Sequence, residues 1–531
     1  MHEEILQQLK VLRDRLKAVE DENLSLKGEV AALKEENLLL KDEIAILKGQ
    51  KPRPKIPPSI LEGSQSKDKH KGSTTRGQHP RKNKTKLEIH IAQRIAPENV
   101  PQEAVFKGLL KFDVQDIRIE SCNTRYLLER WQLPDGTYLT GKTPANIRGH
   151  YGPELVAYIL NQYHSCRVTE PLLLNHLREM GVLISSGQLS QLLTEDQEAF
   201  HREKEELIPA GIKATGQVKT DDTGGRHRGT NEYTTVISNE FFASFSTTAS
   251  KSRINFLSLL QGTTPTYLFN EDAVVYIERF KPESRLNSLL VPGLGRGAMR
   301  EKDWDEFLLS MKVTSPGEKK LATEASLYAN LIENGVPRDL GVHADDAGQF
   351  DVFVRSLCWI HEERHYRKLH IFNDETQQAI DKVRDGIWNL YKGLKAYKLA
   401  PSEAQSIILE KQFDDLFSQE TSIVSLNERL KMTREKKEDL LRVLKRPDTP
   451  LHNNETETDA RAAVIKRKIS GGTRSCDGKR CRDTFLSLKQ TCRKLGISFW
   501  KYLKDRVRGD NQIPRLAEII AMRSSPHHET S

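Results

Sequence analysis

The sequence predicts an α/β protein: one sheet-bearing core, split by a helical block and preceded by a coiled coil and a mostly helical region. Three observations carry that prediction. Short apolar and β-branched runs cluster between residues 217 and 246 and recur just before residue 345. From 365 to 446 the apolar residues keep the 3–4 spacing of helices instead. Residues 5–47 hold an unbroken heptad. At 531 residues the chain has room for several units and at least one sizeable core. Its 82 Lys and Arg against 74 Asp and Glu give a net charge of +8, which favours a polyanionic partner. No apolar run approaches the ~18 residues of a membrane span, and the N-terminus is too charged for a signal peptide. No membrane association is therefore expected, and a cytoplasmic location is. The cysteines (Cys122, Cys166, Cys358, Cys476, Cys481 and Cys492) form no C-x-x-C pair, so reduced thiols are expected rather than a disulfide framework or a four-thiolate zinc site.

Residues 1–48 read as a parallel coiled coil. Leu12, Leu26, Leu33, Leu40 and Leu47 fall at d, together with Ile5 and Val19, while Asn23 and Asn37 fall at a. Each Asn pairs best with its twin, which favours two strands in register. Arg15, Glu22, Glu29 and Glu36 at g face Glu20, Lys27, Lys34 and Lys41 at e of the partner helix, every pair opposite in sign. A homodimer is expected. Residues 49–90 form a basic linker, broken by Pro52, Pro54, Pro57 and Pro58 and too poor in apolar residues to order itself. It serves either as a sequence-independent phosphate contact or as a solubilising spacer.

Residues 91–210 read as a mostly helical, DNA-binding region with a short β start. Thr169 caps a helix with Pro171 in its first turn, Gly181 breaks it, and Ser185 or Ser186 opens a second helix. That is helix-turn-helix shape, with His176, Arg178 and Gln188 placed where they reach DNA; the same shape also serves as plain helical packing.

The core follows, its first part at 211–364. Q-V-K-T-D-D-T-G-G (217–225) reads as a strand ending in Asp221 and Asp222, with Gly224 and Gly225 turning the chain. Glu232–Ser238 and Phe241–Ser246 form a hairpin about Asn239–Glu240, and a helix spans Arg253–Leu260. The stretch from Gly262 to Arg338 reads as an elaboration rather than a second core. L-G-V-H-A-D-D then closes a second strand on Asp345 and Asp346, with Phe350 and a helix behind it. Residues 365–447 form a helical insertion, in which Ile380, Val383, Ile387, Leu390 and Leu394, then Ile423, Leu426 and Leu430, keep helical spacing. The second part of the core, 448–510, opens with Asn453 or Asn454 capping a helix that carries Glu455, Glu457 and Arg461. Residues 511–531 are a tail. A carboxylate where a buried strand ends is rigid yet open to water, which suits a hard divalent cation working on phosphate. Asp, hairpin, Asp, helical insertion and helical Glu is the layout of the ribonuclease-H-like fold of DDE transposases.

The chain resembles the transposases of the insertion-sequence-66 family. T-D-D-T-G near 221, A-D-D-A-G-Q-F near 345, C-W-I-H-E-E-R at 358–364, P-L-H-N-N-E-T-E at 450–457 and T-C-R-K-L-G-I-S-F-W-K-Y-L-K-D at 491–505 carry the resemblance. It implies a catalytic, metal-holding triad of Asp221, Asp345 and Glu457, with Glu455 the runner-up to Glu457. It implies Mg²⁺, for which Mn²⁺ can substitute, and double-stranded DNA as substrate, both element ends and target. Cleavage would leave a 3′-hydroxyl that then attacks target DNA. Small companion proteins often accompany the family, and a bacterial, nucleoid-associated setting follows. His361 becomes a phosphate or water contact near the triad, and Arg461, Lys466, Arg467 and Lys468 on the Glu457 helix become DNA-backbone contacts. The sequence departs from the family at His452 (usually Asp) and Thr458 (usually Arg), and it lacks the cysteine-rich zinc module. Cys358, His361 and His365 supply no fourth ligand, so zinc is not expected. The rival readings are a DNA-binding protein derived from a transposase that has lost catalysis, and a nuclease of the same fold.

Overall fold

A computed structural model describes residues 89–97, 101, 104–262 and 264–524. The coiled coil expected at 1–48, nearly all of the 49–90 linker and residues 525–531 lie outside the described residues. The chain divides into Met1–Asp113 and Val114–Ser531. In the first unit the described residues carry no helix or strand, and the Arg94 guanidinium lies 5.1 Å from the Phe106 ring centroid.

The second unit opens with an extended stretch and a small hairpin, β1 (Arg130–Gln132) with β2 (Tyr138–Thr140). Helices begin only at Pro153, so the region expected to be mostly helical from 91 is helical only in its second half. The physical reason is visible in the chain: Val114, Ile117 and Ile119, and before them Leu110 and Phe112, recur mainly at a spacing of two, which gives no helix a continuous apolar face. Beyond that point the local signals hold. Thr169 occupies the N-cap position of Glu170–Glu179, though its side chain makes no capping bond, Gly181 has φ +80°, and Ser185 and Gln188 form a capping box on Ser186–Thr194.

The main sheet contains β3 (Gln217–His227), β4 (Thr230–Ser238), β5 (Ala243–Thr248), β6 (Gly341–Ala344) and β7 (Val354–Leu357), in the order β5-β4-β3-β6-β7. The first three form an antiparallel meander; β6 runs parallel to β3, and β7 parallel to β6. Two expectations need correction. The chain does not turn at Gly224–Gly225: β3 continues to His227 and reverses at Arg228–Gly229, whose φ values of +48° and +81° suit a two-residue type I′ turn. The glycines instead give clearance, since a Cβ on Gly225 would meet the Thr247 methyl at 3.0 Å and one on Gly224 the Arg467 guanidinium at 3.0 Å. And β7, not a helix, follows Phe350; four residues, V-R-S-L, are too few to display a period, and the helix starts at Trp359.

Residues distant in sequence finish the sheet. On the edge strand β5, the amides of Ala243, Phe245 and Thr247 donate to Thr491, Ser487 and Asp483 of the helix Cys476–Lys494. That covers an edge which would otherwise template association. The helices between Glu271 and Glu333 share one apolar cluster with the sheet, including Tyr276, Trp304 and Leu327. The 365–447 block has its own core, in which Ile380, Val383, Ile387, Leu390 and Leu394 meet Phe413, Phe417, Leu426 and Leu430, with Ile423 partly buried beside them. The expected tail is ordered through Ser524: Leu516–Ser524 is a helix whose Leu516 and Ile520 are fully buried.

His164 and His201 are among the histidines buried neutral in this core. His164 stacks on Phe485 at 4.1 Å, and His201 Nδ1 is 2.8 Å from Thr484 Oγ1. Burial, then the nearby Lys466 and Lys489, hold His164 well below 6.5; burial, then Arg480, pushes His201 down to about 4. The unfolded chain takes up these protons near 6.5 while the folded chain does not. Their contribution is therefore complete above pH 6.5 and declines as pH falls towards 4. The thermal midpoint should drop across that window, and His201→Gln should flatten the drop. An unchanged pH profile in the variant would remove His201 as a source.

Candidate active site

The three carboxylates implied by the resemblance come from three elements. Asp221 lies inside β3, opposite Val236 of β4. On its other side β6 pairs only as far as Lys219, so β3 has no strand partner there between Thr220, whose carbonyl takes Asn453, and Arg226, where the 471–474 loop joins it. That open edge does what a strand end was expected to do. Asp345 follows β6 directly and accepts from the Ala347 amide at 3.2 Å. Glu457 sits in the first turn of the helix Asn454–Ser470. Asn453 does not cap that helix with its side chain; its Nδ2 donates to the Thr220 carbonyl at 3.0 Å, and Thr456 meets Ser238 at 3.0 Å. These two bonds fix the Glu457 helix on β3, the strand carrying Asp221, and on its neighbour β4.

The acidic doublets separate by partner. Asp222 accepts from Thr235 Oγ1 at 2.5 Å and Gln349 Nε2 at 2.8 Å. Asp346 pairs with Lys436 and, at 3.8 Å, with Arg355. Glu455 takes the Lys219 ammonium at 2.6 Å. Among the described residues, Asp221 and Asp345 have no such cation: Asp221 accepts only the Asp222 amide, at 2.8 Å. Burial and then the charge of Asp345 push the Asp221 carboxyl up to about 7; Glu457 and Asp222 add to this, and the Asp222 amide opposes it. Glu457 is gripped by Arg364 at 3.2 and 3.4 Å and lies 3.5 Å from His361 Nε2. Burial holds His361 below its usual range, with Glu457 opposing. As arranged, no three His, Cys, Asp or Glu side chains among the described residues are gathered closely enough to hold an ion. The donor chemistry still suits a hard divalent cation, because Asp221 and Asp345 are both half-buried and neither is paired with a cation among the described residues.

The expected DNA contacts divide. Arg461 and Lys468 are exposed, and Arg467 is half-buried beside Gly224. Lys466 is not a surface contact: it is buried, donates to the Tyr163 carbonyl at 2.9 Å, and lies 3.8 Å from the Tyr163 ring centroid. Burial, then Arg482, Arg167 and Lys489, push its ammonium down to about 8. Position 466 continues the buried row of Asp459, Ala462 and Ala463, and the small alanines were the signal that this face looks inward. His176, Arg178 and Gln188 are engaged within the protein, with Tyr158 OH at 2.9 Å, the Ile184 carbonyl at 3.2 Å and the Ser185 amide at 3.0 Å. Arg364, the residue that grips Glu457, stood in the quoted C-W-I-H-E-E-R stretch with no role given to it. Gln349, in A-D-D-A-G-Q-F, and Thr235, in the strand Glu232–Ser238, likewise stood in quoted stretches with no role given to them.

No described helix is long and apolar enough to cross a membrane, and all six cysteines are free. No solved structure matches the chain. The uncharacterized protein y4jO of Sinorhizobium fredii (strain NBRC 101917 / NGR234) is 37% identical over 321 residues, spanning 60% of this chain and all of that protein. The sequence model described as transposase IS66 family matches residues 347–480, from just past Asp345 through the Glu457 helix. The chain belongs to the transposase IS66 family.

Proposed function

We infer that the protein is a DDE transposase that binds the ends of an insertion sequence and catalyses metal-dependent DNA cleavage and strand transfer. The observation that carries this is one of placement: Asp221 lies on β3 where β6 no longer pairs with it, Asp345 directly follows β6, and the Glu457 helix is bonded to the same sheet through Asn453 and Thr456. The strand order β5-β4-β3-β6-β7, with an antiparallel meander followed by two parallel strands, supports a ribonuclease-H-like core. Asp221 and Asp345 would hold Mg²⁺ or Mn²⁺, and Glu457 would join them on leaving Arg364. When bound, such ions neutralise charge on the attacking and leaving oxygens of a phosphodiester. The protein's own part is placement. Asn453 and Thr456 hold the Glu457 helix to β3 and β4, and Asp222, tied to Thr235 and Gln349, anchors the strand beside Asp221. Water would first release a 3′-hydroxyl at the element end, and the same site would then admit that hydroxyl against target DNA. The test is cleavage of the element's own end DNA with Mg²⁺ and with chelator.

Pairing of two ends suits a homodimer joined through residues 5–47, working in the bacterial nucleoid with companion transposition proteins. Analytical ultracentrifugation should show self-association that weakens when the chain starts near Lys51, and Asn23→Leu with Asn37→Leu should loosen the preference for two strands. A monomer with and without the arm would sink the dimer.

A further inference from the structure

The tip of the β3–β4 hairpin is fastened to the loop that follows the Glu457 helix. The Arg228 amide donates to the Thr473 carbonyl at 2.8 Å, and the Thr473 amide returns a bond to the Arg226 carbonyl at 2.9 Å. His227 Nδ1 lies 2.8 Å from Thr473 Oγ1, and Arg228 Nε reaches the Arg474 carbonyl at 3.4 Å. Gly472 admits this approach, since a Cβ there would stand 2.6 Å from the Arg226 carbonyl oxygen. Two loops that would otherwise move independently thus form one platform.

The platform is cationic. Arg226, Arg228, Arg474 and Lys468 are exposed, and Arg467 lies along the strand at Gly224. Among the described residues none of these five has a carboxylate within ion-pair distance. The acid on the neighbouring strand, Glu232, is already neutralised by Lys479 at 3.0 Å. An ordered set of unpaired arginines has the donor chemistry of a phosphate-backbone contact, with guanidinium forks suited to phosphate oxygens.

Its position gives it a role. Arg226 lies on the strand that holds Asp221, and Arg228 opens the turn just past its last residue, His227. At ~3.4 Å per residue they lie about 17–24 Å beyond Asp221. With ~3.4 Å per base pair along a duplex, that is about five to seven base pairs from a phosphodiester held at Asp221. We propose that the β3–β4 hairpin tip and the loop 471–474 form a duplex-DNA backbone clamp, gripping the substrate about five to seven base pairs from the scissile phosphate. The inference rests on the transposase reading for the location of that phosphate. The clamp reads no bases; it fixes the duplex along the axis of β3.

The test compares the full-length chain with the triple variant Arg226→Ala, Arg228→Ala, Arg474→Ala by fluorescence anisotropy on end-sequence duplexes over a salt series. A second triple variant, Lys392→Ala, Lys411→Ala, Lys431→Ala, removes equal charge from exposed positions of the helical block. The platform variant should bind at least about tenfold more weakly, with a log–log salt slope shallower by about 2–3. Neutral methylphosphonate linkages about five to seven base pairs from the cleavage point should weaken the wild type and leave the platform variant unaffected. An equal loss in the lysine variant, or an unchanged slope in the platform variant with an unchanged thermal midpoint, overturns the clamp. Failure of the wild type to cleave end DNA counts against the transposase reading instead, because the binding comparison needs no catalysis.

Discussion

Asp221→Asn should reduce cleavage of end DNA by at least about 100-fold, the loss typical of removing one well-placed electrostatic stabiliser. The substitution keeps the side chain's shape and removes the negative charge on which those of Asp345 and Glu457 act. Loss of ion affinity and of rate should therefore coincide, while DNA binding persists through the basic surfaces. Asp345→Asn and Glu457→Gln should behave alike. Asp346→Asn and Glu455→Gln should cost little in rate, since those carboxylates are occupied by Lys436 and Lys219. Mg²⁺ or Mn²⁺ should support cleavage and Ca²⁺ should not, its larger and looser coordination spoiling in-line geometry. Gel-resolved cleavage rates and calorimetric titration of Mn²⁺, run on each variant, separate the two effects. Full activity in a triad variant would end that residue's assignment. An inactive wild type that still binds its ends would favour a transposase-derived DNA-binding protein.

Glu203→Ala should destabilise the fold by about 3–5 kcal/mol, because it strands a buried cation. Glu203 is almost fully buried and accepts four bonds: from Tyr502 OH at 2.8 Å, Arg506 Nε at 2.9 Å, Arg506 Nη2 at 3.1 Å and the Leu516 amide at 2.9 Å. One carboxylate thus ties the helix Glu198–Glu205 to the helix Phe499–Arg508 and to the start of the last helix. Without it the Arg506 guanidinium keeps its neighbouring Asp505 but loses its main counter-charge. Urea unfolding should show a large fall in midpoint, and Glu203→Gln, which can still accept, should recover part of it. A change below about 1 kcal/mol would mean the network is replaceable by water.

What the sequence by itself determined was local and periodic. The helix start after Thr169, the cap at Ser185, the hairpin of β4 and β5, and the buried row from Ile380 to Leu394 need only neighbours within a few residues. The chain order Asp221, Asp345, Glu457 was legible for the same reason, because each sits in a short recognisable stretch. Tertiary structure alone decided how those residues are used. Asp221 faces an open edge because β6 stops pairing at Lys219, a fact about strand lengths more than a hundred positions apart. Asn453 abandons its cap for the Thr220 carbonyl 233 residues away, and the β5 amides are satisfied by a helix some 240 residues on. Lys466 turns inward because Tyr163 offers it a carbonyl and a ring. Arg364 grips Glu457 across 93 residues. A sequence encodes period and turn chemistry directly, but the partner of a polar side chain is fixed only when packing removes water and leaves one acceptor within reach.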